Sequence, residues 1–139
     1  SHDIDDIFTV RHLLEGQAAY WAAERIDASN LARLTEIVEL MEMYTRKNDA
    51  ANLARLDTEF HDVIFSASDS RILRHILTSL HQNTRRVRRT SLTVPERPTQ
   101  SLAEHRAIFE AIEHHRPEDA KMRMESHIIN AHGRRFDTN

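Results

Sequence analysis
The chain has 139 residues, 40% of them hydrophobic and 29% charged, with a formal net charge of -3 at pH 7 and no cysteine. That length and balance suit one domain with its own core, and they exclude disulfides, catalytic thiols and any overall positive field for a polyanion. No apolar run approaches the about 20 residues of a membrane span and no secretory leader pattern opens the chain, so the expected location is the cytoplasm.

Two glycines and three prolines leave little material for hairpins, while Ala, Leu, Glu and Arg favour helix. The expected fold is all-α, an antiparallel bundle of about six helices. The first helix runs from about Asp5 to Ile26, with Ile7, Leu14, Ala18 and Ala22 inward. The second follows Ser29 or Asn30, either a competent N-cap, and carries Leu34, Ile37, Val38, Met41 and Tyr44 to Arg46. After a break at Lys47, Asn48 and Asp49, a third extends from Asn52 to Ala67. Asp69 and Ser70 are positioned to cap a fourth, in which Ile72, Leu73, Ile76, Leu77, Leu80 and Val87 face in. Pro95 and Pro98 mark the stretch Ser91 to Gln100 as the one substantial loop. Ser101 and Glu104 form a capping box that opens the fifth helix, and Pro117 suits the first turn of a sixth that stops at Gly133.

Four polar residues interrupt the apolar stripes. At about 100° per residue, Asp57 falls inside the edge of the arc formed by Leu53, Leu56, Phe60, Val63 and Ile64, and His61 lies beside it. His105 is surrounded by Leu102, Ile108, Phe109 and Ile112, and His127 lies on the stripe of Ala120, Met124, Ile128 and Ala131. An inward carboxylate must be paired, protonated or bound to a cation. Asp57 and His61, four residues apart, share one helical face and can hold one ion. Three imidazoles and one carboxylate suit a divalent metal such as Zn, Ni, Fe, Co or Mn, and the lack of thiolate argues against a finger-type structural zinc. The expected ligands are therefore Asp57, His61, His105 and His127.

Arg11 also lies within a buried stripe, between Ile7, Leu14 and Ala18, and a guanidinium there needs an anion. Two partners fit: an internal carboxylate such as Glu15 at i+4, or the carboxylate of a bound small molecule held bidentately. In the basic run, Arg85, Arg86 and Arg89 form a solvated face, whereas Arg88 lines up with Leu77 and Thr84 and can extend toward the same cavity. The run lacks interleaved aromatics and is too short for a nucleic-acid surface. His12, His75, His81, His114, His115 and His132 are expected at or near the surface, and Trp21 in the core.

These residues give the chain its likeness to a known family. Val10-Arg11-His12-Leu13-Leu14-Glu15, Asp57-Thr58-Glu59-Phe60-His61, Glu104-His105 followed by Ala111-Ile112, and Ala120 through Met124 to His127-Ile128 together resemble the FCD domain. This is the C-terminal effector-binding domain of FadR-subfamily GntR-type transcription regulators, and the likeness spans essentially the whole chain. It departs where the family usually has Gly-Asp before the last helix, here His115-Arg116, and Gly-Asn after the third, here Asp69-Ser70.

The resemblance implies a divalent metal on Asp57, His61, His105 and His127, and an effector, typically a small organic acid, on Arg11. It further implies a homodimer, with DNA bound only through an N-terminal winged helix-turn-helix that this chain does not carry. Residues 1–139 are then one ligand-sensing domain, and not an enzyme. The alternative is a mononuclear metalloenzyme acting on a small organic acid; against it, no further Asp or Glu stands out near the ligands as a general base.

Overall fold
The computed structural model describes residues 2–82, 84 and 92–136, apart from the side chains of 133–136. Six helices account for nearly all of them, and no strand occurs among the described residues: α1 (His2–Arg25), α2 (Ala28–Arg46), α3 (Ala50–Ala67), α4 (Arg71–Gln82), α5 (Arg97–Glu113) and α6 (Pro117–Phe136). The pairs α2 with α3 and α5 with α6 pack together across three-residue connections, which forces each pair to run antiparallel. Helix α1 lies against α6 and also touches α3, α4 and α5, so it reaches the centre of the bundle. The core is built from Leu34, Ile37, Leu56, Phe60, Ile64, Phe65, Leu77, Ile108, Ile112, Met124 and Ile128. No helix among the described residues is long and apolar enough to cross a membrane.

The face of α1 turned to its neighbours is made of small residues. Ala18, Ala19, Ala22 and Ala23 are all fully buried, with Phe8 rather than Ile7 as the large apolar anchor nearer the N-terminus. At Gly16 the approach to α6 is close enough that a Cβ would meet Glu125 Cγ at 2.9 Å. Trp21 is partly buried against the core.

Several helix ends differ from expectation, each for a local reason. Asp27, not Ser29 or Asn30, caps α2, its side chain accepting from the Asn30 amide at 2.8 Å. Asp49 does the same for α3 through the Asn52 amide at 3.1 Å. Helix α5 starts at Arg97, one turn before the expected capping box, because Pro98 fits the first turn of a helix, where its missing N–H has no partner to lose. Ser101 and Glu104 are therefore interior residues with other duties. Helix α6 runs through Gly133 to Phe136. In α4 the buried line is Leu73, Leu77 and His81; Ile72 is 77% exposed and Ile76 39% exposed, so the broad inward arc expected there is a narrow stripe. Val87 and Arg88 lie outside the described residues, and the expectation of Arg88 as a second effector contact goes with them.

The two departures from the family pattern fall on left-handed backbone, with φ of 57° at Asp69 and 54° at His115. A side chain there costs about 1–2 kcal/mol relative to glycine. His115 recovers part of that through its ring, whose Nδ1 donates to the Ala23 carbonyl at 2.8 Å and ties the α5–α6 turn to α1.

Candidate metal centre
Helix α3 supplies Asp57 and His61 one turn apart, α5 supplies His105 and α6 supplies His127. All four are buried, and one ligand atom from each lies within 4.8 Å of the others. The three helices therefore converge as the inward polar positions implied. His105 Nε2 stands 2.5 Å from Asp57 Oδ1, and His61 Nε2 stands 3.2 Å from the same oxygen. The His127 ring is stacked on His61 at 5.5 Å between centroids and packs edge-on to His105 at 4.5 Å. Phe60, on the same helix as Asp57, closes one side by packing edge-on to His105 at 4.7 Å.

The other nitrogen of each ring is anchored. His61 Nδ1 donates to Glu15 Oε1 at 2.5 Å, His105 Nδ1 to the Ser101 carbonyl at 2.7 Å, and His127 Nδ1 to Glu104 Oε1 at 2.6 Å. With every Nδ1 committed to an oxygen, Nε2 is the atom each histidine offers to an ion. His61 Nε2 is buried and makes no hydrogen bond, since Asp57 Oδ1 is near but not aligned with it. An orphaned buried nitrogen costs about 1–3 kcal/mol, and a cation among these groups would give it a partner. Three imidazole nitrogens and a carboxylate oxygen are a donor set that borderline divalent metals accept, so the residues present fit such an ion.

The electrostatics agree only in part. Burial, reinforced by the neighbouring His105, pushes His127 down to about 4, so its imidazole is neutral at neutral pH, as a metal ligand must be. His61 is different: burial lowers its affinity for a proton, but Glu15 and Asp57 together outweigh burial and raise it. A cation would thus displace a proton from His61.

Two carboxylates touch the ligands, Glu15 at His61 and Glu104 at His127, contacts that the sequence did not point to. Glu15, fully buried, accepts from Arg11 Nε at 2.5 Å as well as from His61. Burial alone would raise its pKa, but Arg11, His61 and His81 pull it well below the usual range. Glu104 is gripped by Arg97 through both guanidinium Nη atoms at 2.9 and 3.0 Å and approached by Asn130 at 3.3 Å. Burial opposes its charge, yet the hydrogen bonds from His127 and Arg97 hold it at about 2. Both are locked in ion pairs and weakly basic, which makes neither a good general base. For Arg11, 4% exposed, the internal partner at i+4 is the one observed.

His81 was expected near the surface and is buried at 3%, its Nε2 3.3 Å from Glu15 Oε1 and its ring 4.9 Å from that of His61. The signal that points to it is the four-residue spacing Leu73, Leu77, His81. Glu15, His61 and His81 form a second group with metal-ligand chemistry. Arg11 and His61 Nδ1 already occupy the Glu15 carboxylate, however, and a guanidinium at 2.5 Å repels a cation.

The pH dependence of stability follows from Glu104. Its folded pKa of about 2 lies below the ordinary 4.5, so its contribution is complete above the ordinary value and disappears as pH falls through the folded one. The advantage of the native protein over Glu104→Gln in urea unfolding should shrink by about 2 kcal/mol between about pH 5 and about pH 2, allowing for solvent screening at the edge of the site. His127, also lowered, pushes stability the same way at somewhat higher pH, and His61, raised, pushes it the opposite way. A gap that stays constant over that window would show that Glu104 is not held as described.

The family model of the FCD domain matches residues 6–130. Among curated proteins, the galactonate operon transcriptional repressor of Escherichia coli (strain K12) is 31% identical over 106 residues, covering 76% of this chain and 45% of the repressor. The "Uncharacterized HTH-type transcriptional regulator YdhC" of Bacillus subtilis (strain 168) is 27% identical over 127 residues, 91% of this chain and 57% of that protein. The chain thus spans about half the length of these relatives, which are named as transcriptional regulators. Among solved structures, Streptococcus agalactiae GntR superposes with a TM-score of 0.77 at 28% identity, over 90% of this chain and 55% of that one. E. coli McbR/YncC reaches 0.89 over 100% of this chain and 70% of its own at 17% identity, a likeness of fold alone. With the motifs on α1, α3, α5 and α6 and a family match over nearly its whole length, the chain belongs to the FCD domain family of GntR-type transcriptional regulators.

Proposed function
We propose that this chain is the ligand-sensing and dimerisation domain of a FadR-type regulator, binding a divalent metal on Asp57, His61, His105 and His127 and a small carboxylate beside it. The observation that carries the reading is the burial of four convergent donors, three of them histidines whose far-side nitrogens are already anchored. An ion held by Asp57, His61, His105 and His127 would offer a carboxylate the coordination positions that these four donors leave open.

Arg11 provides the remaining charge complement. Its Nε is committed to Glu15 and its guanidinium lies over the Phe8 ring, and an entering anion would be met by the Nη groups. A ligand that reaches Arg11 also meets Glu15, and through it His61. DNA binding belongs to a separate N-terminal domain in this reading, consistent with relatives about twice as long, and the ligand acts by favouring one of two arrangements of a homodimer.

Calorimetric titration of the metal-loaded protein with hydroxy, keto and dicarboxylic acids tests the effector part. At least one acid should bind, and Arg11→Lys, which keeps a cation against Glu15 but loses the guanidinium fork, should weaken it by about tenfold or more. Silence across the panel, or an Arg11→Lys protein that binds as well as the original, defeats it.

A further inference from the structure
Glu104 has three contacts that its place on the helix did not suggest. It accepts from His127 Nδ1 at 2.6 Å, is clamped by both Nη atoms of Arg97, itself 3% exposed, and is reached at 3.3 Å by Asn130, three residues beyond His127 on α6. Arg97 opens α5 and Glu104 lies two turns along it, so the ion pair staples the first two turns of that helix. Its carboxylate then has one oxygen on His127 and both on Arg97, which leaves it no freedom to rotate.

We propose that Glu104, clamped by Arg97, is a positioning residue that keeps the His127 proton on Nδ1 and so presents Nε2 as the fourth metal donor. This rests on the metal reading above. A neutral imidazole has one proton, and the stronger acceptor decides which nitrogen carries it. A carboxylate fixed by a bidentate guanidinium is a stronger and better aimed acceptor than water or an amide. Without it the proton can move to Nε2 and the ring can turn, and either change costs the ion a ligand. Outer partners of this kind are worth about 10–100-fold in metal affinity.

The three ligand histidines make an internal comparison. His105 is held by the main-chain carbonyl of Ser101, which no side-chain substitution removes, although the Ser101 hydroxyl also lies 3.2 Å from the ring. His61 is held by Glu15, whose removal would leave Arg11 buried and unpaired. Glu104 is the acceptor that can be changed most selectively: Glu104→Gln keeps the shape and leaves Arg97 able to bond the amide oxygen.

The test measures Zn²⁺ affinity by chelator competition and the His127 tautomer by ring nitrogen chemical shifts in the metal-free protein at neutral pH. The native protein should show Nδ1–H at His127, and Glu104→Gln should bind Zn²⁺ about 10–100-fold more weakly with a mixed or reversed tautomer. Zn²⁺ bound by the native protein and equally well by Glu104→Gln overturns the role of Glu104 while leaving the metal reading intact. No Zn²⁺ binding by the native protein overturns both. A native His127 with its proton on Nε2 overturns the proposal directly, and needs no variant that must fold.

Discussion

Saturating the protein with Zn²⁺ should raise its melting temperature by about 10 °C when free metal stands about 100-fold above its dissociation constant, and Asp57→Asn should abolish the rise. A ligand at that excess stabilises the folded state by about 2.7 kcal/mol, and for a domain near this size each kcal/mol moves the midpoint by about 3–4 °C. The four donors come from α3, α5 and α6 and meet only when the bundle is formed, so the folded state gains nearly all of the binding energy. Asp57 is the sole charged oxygen in the set, and its Oδ1 faces both His61 and His105. Asparagine has similar volume but is a far weaker ligand, so metal-free folding should change much less than metal-loaded stability. Thermal unfolding with and without a chelator reads both effects. An Asp57→Asn protein that still gains the full shift would place the ion elsewhere, with Glu15, His61 and His81 as the first alternative.

Glu15→Ala should cost about 3–5 kcal/mol in urea unfolding even with no metal present. The substitution leaves the Arg11 guanidinium 4% exposed with no anion, and an arginine cannot shed its proton to escape. It also strips the acceptor from His61 Nδ1 and the neighbour from His81. Glu15→Gln should cost less, because the amide oxygen still accepts from one donor and only the charge is lost. A double change, Arg11→Met with Glu15→Gln, should recover part of the loss by removing the unpaired cation. If Glu15→Ala unfolds within about 1 kcal/mol of the native protein, the buried triad of Arg11, Glu15 and His61 is not closed as described.

The four donors were legible in the sequence because a helix repeats its faces regularly, and a histidine or aspartate on an apolar stripe is conspicuous. Their outer partners were not. Glu15 reads equally well as a local partner of Arg11, and it is both that and the acceptor for His61, 46 residues away. Glu104 reads as the second half of a helix cap because Ser101 precedes it by three, but the proline at 98 starts the helix earlier and frees the carboxylate for His127. His81 was hidden by an excess of isoleucine: Ile72 and Ile76 widen the apparent arc of α4, and their exposure shows that the buried line is Leu73, Leu77, His81. Periodicity reports which side of a helix is inward, and says little about which distant group waits there.

The alanine face of α1 has a consequence for engineering. Ala18, Ala19, Ala22 and Ala23 let this helix sit at short range from its neighbours, and the same rigid rod carries Glu15 to His61. Any bulkier residue at these positions acts as a shim: it lifts the rod, and the lift is felt at an imidazole that Glu15 aims from one or two turns away. Tolerance to enlargement along α1 is thus set by the aim of His61 as much as by core volume.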